Sequence, residues 1–396
     1  MNSVTGLRME RMGVAVKEHL PGYETFHTLA LVDEAMSLVE TSCRGDFDEF
    51  IAGNAGRRGR LGDVTWVLNR VFESMGFHIA RASYAREVQA AQNDHRGEWR
   101  SVATLRAMLA EPSDFDDVYR SLADDVSRST FDWFVRVRTA AALIGHGALR
   151  LYPSPGISDE GAEKSDGFPR RRRHGYAVGG AVVESDLGAI VDCFVREQYR
   201  LKGRVEVHAG DVVLDVGAYK GESSVWLAGQ AGSAGLVLAF EPNPVARAFL
   251  ERNAAHAASV GIGQIQVLAS AVGSDLRRAS FISTAESCSR LDAGGDMTVN
   301  VTTLDDVVLD QRLATVDFIK MDIEGGEIDA LKGASRTLLL HAPRLAVSVY
   351  HLARDLPDAV ATIKNVRPDY RFFLSHKSPG LSETMLFASV EDGCRP

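Results

Sequence analysis

Cysteine is scarce in this chain of 396 residues: Cys43, Cys193, Cys288 and Cys394 stand far apart, and no C-x-x-C pair occurs. Neither a zinc ribbon nor a disulfide framework is spelled out, and scattered free thiols in a reducing compartment are expected. Basic charge is not in excess: 44 Lys and Arg face 53 Asp and Glu, a net charge of -9. A dedicated nucleic-acid binder usually shows a basic face or a high pI, so small-molecule chemistry fits better. No apolar stretch approaches the roughly 20 residues of a membrane span. The first residues, MNSVTGLRMERMGVAVKEH, carry charges throughout and lack the apolar core of a secretory signal. A cytoplasmic protein with neither nucleic acid nor membrane as partner is expected.

What is present is ample apolar material for packed cores, in a chain long enough for two or three domains. Residues 1–150 read as a helical N-terminal domain. ETFHTLALVDEAMSLVETS (Glu24–Ser42) and the segment Val64–Ala91 space their apolar residues at three and four. Asp114–Ile144 reads as two helices, with Ser127 or Ser129 as a cap for the second. Residues 151–203 read as linker and lead-in. Tyr152–Gly180 is rich in Gly, Pro, Ser and charge and reads as a loop, and Ala181–Tyr199 holds a short helix. The run Arg170–Arg173 invites a phosphate-binding reading, but a short basic run in an acidic protein is more simply a solvated loop.

From Arg204 the pattern changes. Short apolar runs (VVLDVGA, LVLAFEPN, IQVLASAVG, VDFIKMDI, RLAVSVYH) alternate with helical stretches. Near-continuous apolar strands separated by helices specify a parallel sheet covered on both faces. The last two runs, YRFFLSH and TMLFASV, have only SPGLSE between them and should pair as an antiparallel hairpin. Residues 204–396 are thus expected to form a doubly wound α/β domain with a C-terminal antiparallel hairpin.

In such a sheet a ligand sits beyond the carboxyl ends of the strands. VVLDVGAYKGESS (Val212–Ser224) reads as first strand, turn and helix start. Gly217 is expected to let backbone pass close to a ligand, and Gly221 to allow tight packing at the helix start. The spacing is G-x-x-x-G rather than the dinucleotide G-x-G-x-x-G, so no diphosphate cradle is written. Asp215 suits a ligand ammonium group, and Glu241, ending the next strand, is placed to accept hydrogen bonds from ribose hydroxyls. A ribose and a cationic amino-acid end without phosphates describe S-adenosylmethionine (SAM).

LDVGAYKGESS, AFEPNP, VTTLDD, DFIKMDIEGGEIDALKGA and LAVSVYHLARDL together resemble the FkbM family of SAM-dependent methyltransferases, over roughly Val212 to Val390. The resemblance implies a class I methyltransferase (Rossmann-like) fold and O-methylation of a natural product or sugar. It places the cofactor over Asp215, Gly217, Ala218 and Gly221, the ribose at Glu241 with Asn243 close by, and the adenine near Ala271 and Val272.

Methyl transfer to oxygen needs an acceptor in line with the sulfonium and a group to take its proton. His351, ending the fifth strand run in SVYH, suits that task, with Asp355 a turn further on to orient its ring. Asp322 ends the run DFIKM. The acids Asp322, Glu324 and Glu327 of MDIEGGE also offer oxygen ligands to a divalent cation such as magnesium. The simpler reading has Asp322 orienting the cofactor, Glu324 capping the next helix and Glu327 pairing with a lysine, and no metal ligands are assigned. His208, His256 and His341 read as surface residues.

Within Ala279–Thr303, Ser287, Cys288, Ser289 and Arg290 offer contacts to the acceptor, although a plain surface loop is the preferred reading. Tyr176 and Trp133 are aromatic candidates for the acceptor pocket. Two other functions stand beside methyl transfer: a nicotinamide-dependent oxidoreductase and a non-catalytic assembly protein. The acceptor is expected to be a small molecule or glycan, and a homo-oligomer fits the N-terminal extension.

Overall fold

The structure, a computed structural model, describes residues 26–43, 95–155, 168–283, 289–295 and 297–390. The segment 64–91, expected to be helical, lies outside the described residues, as do Ser287, Cys288 and Cys394. The chain divides into two compact units: residues 1–116, 132–154 and 379–381 form one, and 117–131, 155–378 and 382–396 the other. Among the described residues no helix is long and apolar enough to cross a membrane.

The described part of the first unit is built from helices α1 (His27–Cys43), α2 (His95–Ala110), the start of α3 (Pro112–Ser121) and most of α4 (Asp125–Ile144). The start of α1 is held by Asp116, whose carboxylate accepts from the His27 and Thr28 amides, both at 2.9 Å, and from Thr28 Oγ1 at 2.6 Å. That satisfies amides a helix start leaves without partners. Trp133 is buried here and donates its Nε1–H to the Tyr152 carbonyl at 3.1 Å. It is a packing residue of this unit. The cap of α4 is neither Ser127 nor Ser129 but Asp124, whose Oδ1 accepts from the Ser127 amide at 2.8 Å.

The second unit holds three sheets. Residues expected to be loop form a three-stranded antiparallel sheet of β1 (Arg170–Arg172), β2 (Gly175–Val178) and β3 (Ala181–Val183). The turn between β2 and β3 is Gly179–Gly180, both at positive φ, which is the chemistry a two-residue hairpin demands. Tyr176, Val178, Ala181 and Val183 are buried, while the β1 arginines are exposed. Helix α5 (Leu187–Phe194) follows.

The main sheet has seven strands in the order β13-β14-β12-β11-β4-β5-β6. These are β4 (Val212–Val216), β5 (Leu236–Phe240), β6 (Gln264–Leu268), β11 (Phe318–Met321), β12 (Arg344–Ser348), β13 (Arg371–His376) and β14 (Thr384–Ser389). Strands β4, β5, β6, β11 and β12 run parallel, and β14 lies antiparallel between β12 and β13. Val213, Leu214, Val237, Leu238, Phe318, Ile319, Leu345 and Ala346 are fully buried, the burial that two covered faces impose on central parallel strands. The covering helices are α6 (Glu222–Ala231), α7 (Pro244–Ser259), α8 (Leu304–Asp310), α9 (Glu327–Lys332), α10 (Ser335–His341) and α11 (Asp355–Val366). On the outer side of β13, Leu122 forms a bridge with Phe372, and the Ala123 amide donates to the Phe372 carbonyl at 2.8 Å.

The chain winds outward from β4 through β5 to β6, then returns to the other side of β4 as β11. The reversal opens a crevice between the carboxyl ends of β4 and β11. Beside it lies a small sheet of β7 (Ala271–Val272), β10 (Met297–Thr302), β8 (Arg277–Ile282) and β9 (Arg290–Leu291), in that order.

Candidate active site

The crevice holds a cavity of about 580 Å³. Its walls are the glycine turn after β4, Glu241 after β5, Ala271 and Val272 of β7, and the loop Asp322–Gly326 after β11. The small sheet closes one side with Arg277, Ser280, Ser289, Arg290 and Asp292. Of the residues singled out for cofactor binding, Gly217, Glu241, Ala271 and Val272 face this space. Asp215, Ala218, Gly221 and Asn243 do not; each supports the wall from behind.

Asp215 faces inward, away from the cavity. It is fully buried in β4, with Oδ2 accepting from Ser223 Oγ at 2.8 Å and Ser224 Oγ at 2.6 Å. Its Oδ1 lies 3.1 Å from Nζ of Lys320, a buried lysine of β11. The charge expected to meet a ligand ammonium is met by this internal one. Lys320 also donates to the Gly217 carbonyl at 2.6 Å, fixing the turn. Burial alone would depress its pKa, but Asp215 and Asp322 outweigh burial and raise it, so it stays charged.

Gly217 has φ of +85°, and a Cβ there would lie 2.0 Å from the Asp322 carbonyl oxygen. The close approach seen here is to the neighbouring strand end. At Gly221, with φ of +96°, a Cβ would meet Leu250 of α7 at 2.7 Å. Ala218 packs with Ala239 and Leu250 beneath the turn.

Glu241 is buried, and its two carboxylate oxygens accept from the Tyr219 amide at 2.9 Å and the Asn243 amide at 2.7 Å. Tyr219 adopts φ of +48°, which aims that amide inward. Each oxygen keeps a second lone pair for an incoming hydroxyl. Burial pushes the Glu241 carboxyl up to about 7, against the pull of the two amides. Asn243 caps α7, its Oδ1 accepting from the Val245 amide at 3.0 Å, while Nδ2 donates to Ser289 Oγ at 3.0 Å. It ties the start of the helix to the cavity wall.

On the opposite wall, Asp322 Oδ2 accepts from Tyr199 OH at 2.9 Å and Oδ1 from Tyr350 OH at 3.4 Å. Tyr350 OH lies closer, at 3.0 Å, to half-buried Glu383, and its one proton serves either carboxylate. His351 stands behind this wall and does not line the cavity. Its Nδ1 is 2.9 Å from Glu327 Oε1, and its ring packs against Tyr350 with centroids 4.1 Å apart. Burial lowers its pKa, but Glu327, Asp322 and Glu324 together raise it to about 10. Held among three acids and screened from the cavity, the ring is no free proton acceptor, which corrects its assignment as base.

Its orienting partner is Glu327 rather than Asp355. Glu327 also accepts from the Ile323 amide at 2.8 Å and the Gly325 amide at 3.0 Å, shaping the loop instead of pairing with a lysine. Asp355 binds the Leu352 amide at 2.6 Å. Glu324 lines the cavity at φ of +56° and precedes α9 without capping it. Tyr176 is buried in the arginine-bearing sheet, with Arg171 over its ring, away from the cavity.

Residues 215–371 match the methyltransferase FkbM domain family. No curated protein matches the chain. Among solved structures it is similar to a methyltransferase FkbM from Methylobacillus flagellatus KT, at 23% identity and a TM-score of 0.49, over 73% of this chain and 61% of that one. It is also similar to an O-methyltransferase from Bacillus cereus in complex with SAH, at 15% identity and a TM-score of 0.31, over 52% of this chain and 80% of that one. The O-methyltransferase TomG from Streptomyces achromogenes, involved in tomaymycin synthesis and in complex with SAM, matches at 14% identity and a TM-score of 0.30, over 51% of this chain and 77% of that one. The chain spans about three fifths of the length of the Methylobacillus protein.

Proposed function

Starting from a chain that carries a methyltransferase FkbM domain over residues 215–371, we propose that it transfers a methyl group from SAM to a hydroxyl oxygen of a natural product or sugar. The observation that carries this reading is the crevice between β4 and β11, with a buried carboxylate on one wall and a cavity of about 580 Å³ behind it. That volume suits a nucleoside-sized cofactor. The donor set fits SAM on two counts. Glu241 has lone pairs left for two ribose hydroxyls, and the turn Gly217–Gly221 lacks the third glycine of a diphosphate cradle.

SAM, when bound, supplies a methyl group already activated by its sulfonium, with the bonding pair left on sulfur after transfer. This chain's residues do the rest. Glu241 orients the ribose end, Ala271 and Val272 form an apolar wall for the base, and the small sheet limits water. Asp322, braced by Tyr199 and Tyr350, is the carboxylate that faces the cavity from β11. It is placed to accept the acceptor's hydroxyl proton as the oxygen lone pair forms the new bond to carbon. The polar residues Arg277, Ser280, Ser289, Arg290 and Asp292 suit a hydroxyl-rich acceptor.

Calorimetry with SAH and with NAD on the full chain tests the cofactor. SAH binding that is lost in Glu241→Ala supports the reading; NAD binding in its place overturns it. Labelled SAM incubated with small-molecule and glycan extracts, followed by mass spectrometry, then identifies the product.

A further inference from the structure

We propose that His351, Asp322 and Glu324 hold one divalent cation at the edge of the cavity. The side chain of His351 is 1% exposed, and its Nε2 is buried with no hydrogen-bond partner. Around that nitrogen stand Asp322 Oδ1 at 3.4 Å and Glu324 Oε2 at 3.7 Å. Neither contact makes a hydrogen bond to Nε2. Both are ion-pair distances; Asp322 Oδ1 also falls within, and Glu324 Oε2 just beyond, the roughly 3–3.5 Å that separates two ligands each about 2.0–2.2 Å from one metal.

The other ring nitrogen is held by a carboxylate. Nδ1 lies 2.9 Å from Glu327 Oε1. A histidine that gives one N–H to a carboxylate and turns its other nitrogen toward two acids has the arrangement of a metal ligand with its orienting partner. Ligand atoms of Asp322, Glu327 and His351 all lie within 4.8 Å of one another. Glu327, however, already accepts from two loop amides and the imidazole, so it orients rather than ligates. Glu324 takes the third place because it reaches Nε2 from the cavity side.

One imidazole with two carboxylates suits Zn²⁺ or Mn²⁺ better than Mg²⁺, which favours oxygen and water. Asp322 and Glu324 line the cavity, so the ion would face an acceptor there and make its hydroxyl easier to deprotonate. That use rests on the methyl-transfer reading; binding of the ion does not.

The test is a titration of the full chain, stripped by chelator, with MnCl₂ followed by electron paramagnetic resonance and with ZnCl₂ followed by calorimetry. One saturable site is expected. His351→Gln and Glu324→Gln should weaken it at least tenfold, and Glu327→Gln by about 10–100-fold. Glu324→Gln alters a cavity-facing residue, and an unchanged circular-dichroism melt shows that it folds. No saturable site for either ion at millimolar concentration overturns the proposal, and so does undiminished binding in His351→Gln or Glu324→Gln. SAH affinity, read separately, reports on the methyltransferase reading alone.

Discussion

Gly217 and Asp322 share one space: a methyl group on the first would stand 2.0 Å from the backbone carbonyl of the second. The ends of β4 and β11 are thereby pressed together, and the cavity forms immediately above their contact. Lys320 braces the same point from below, donating to the Gly217 carbonyl while paired with Asp215.

Gly217→Ala should therefore disturb both fold and site. The positive φ alone costs about 1–3 kcal/mol, and the backbone clash forces the strand ends apart. Thermal melting should drop by several degrees and SAH affinity by at least tenfold. Wild-type melting with wild-type affinity would contradict the packing described.

Lys320→Met should leave Asp215 buried without its counter-ion, a loss of about 3–5 kcal/mol. Adding Asp215→Asn removes the stranded charge and should restore part of the stability. Urea denaturation of the two single variants and the double reads the coupling; strict additivity would show that the pair does not interact.

Glu241→Gln should cut SAH affinity about 10–100-fold, since hydrogen bonds to a charged group are worth about 1.5–3 kcal/mol. Wild-type affinity should also fall as pH drops through about 7, where burial places the carboxyl, because the protonated form loses acceptor capacity. The variant should be flat over that range, and an equal slope in both proteins would remove Glu241 from the binding step.

Stability of the protein without ligand should depend on pH in a stated direction. Burial raises Glu222 and Glu241 from 4.5 to about 7. Below 4.5 both states are protonated. Between 4.5 and about 7 the unfolded chain releases protons that the folded chain keeps, so these two groups lower stability as pH rises. The loss is complete above about 7. Melting temperature should fall from pH 5 to 8, and Glu222→Gln should make that fall shallower; an unchanged slope would rule Glu222 out as a source.

The sequence made the strand and helix alternation of the second unit legible, because a parallel sheet writes its central strands as apolar runs. It also singled out Gly217 and Glu241, which line the cavity. It did not show what stands next to them. The contact of Gly217 with Asp322 is invisible in the sequence because the two lie about a hundred residues apart. The partner of Asp215 is hidden for the same reason, although a lysine inside the apolar run DFIKM needs a buried anion. The hairpin YAV-GG-AVV was readable as well, yet it was hidden by the Arg-rich, Gly-rich composition around it. The partners of His351 depend on how a loop folds back, and spacing along the chain carries no trace of that.

Strand β13 ends the main sheet, and Leu122 and Ala123 occupy its outer backbone at Phe372. A shortened chain beginning at the first residue of the matched domain would lack that cover. Its bare edge would offer hydrogen-bonding groups to a strand of another molecule, so self-association is the expected fate of such a fragment. Leu122 and Ala123 thus guard the second unit against polymerising through that edge.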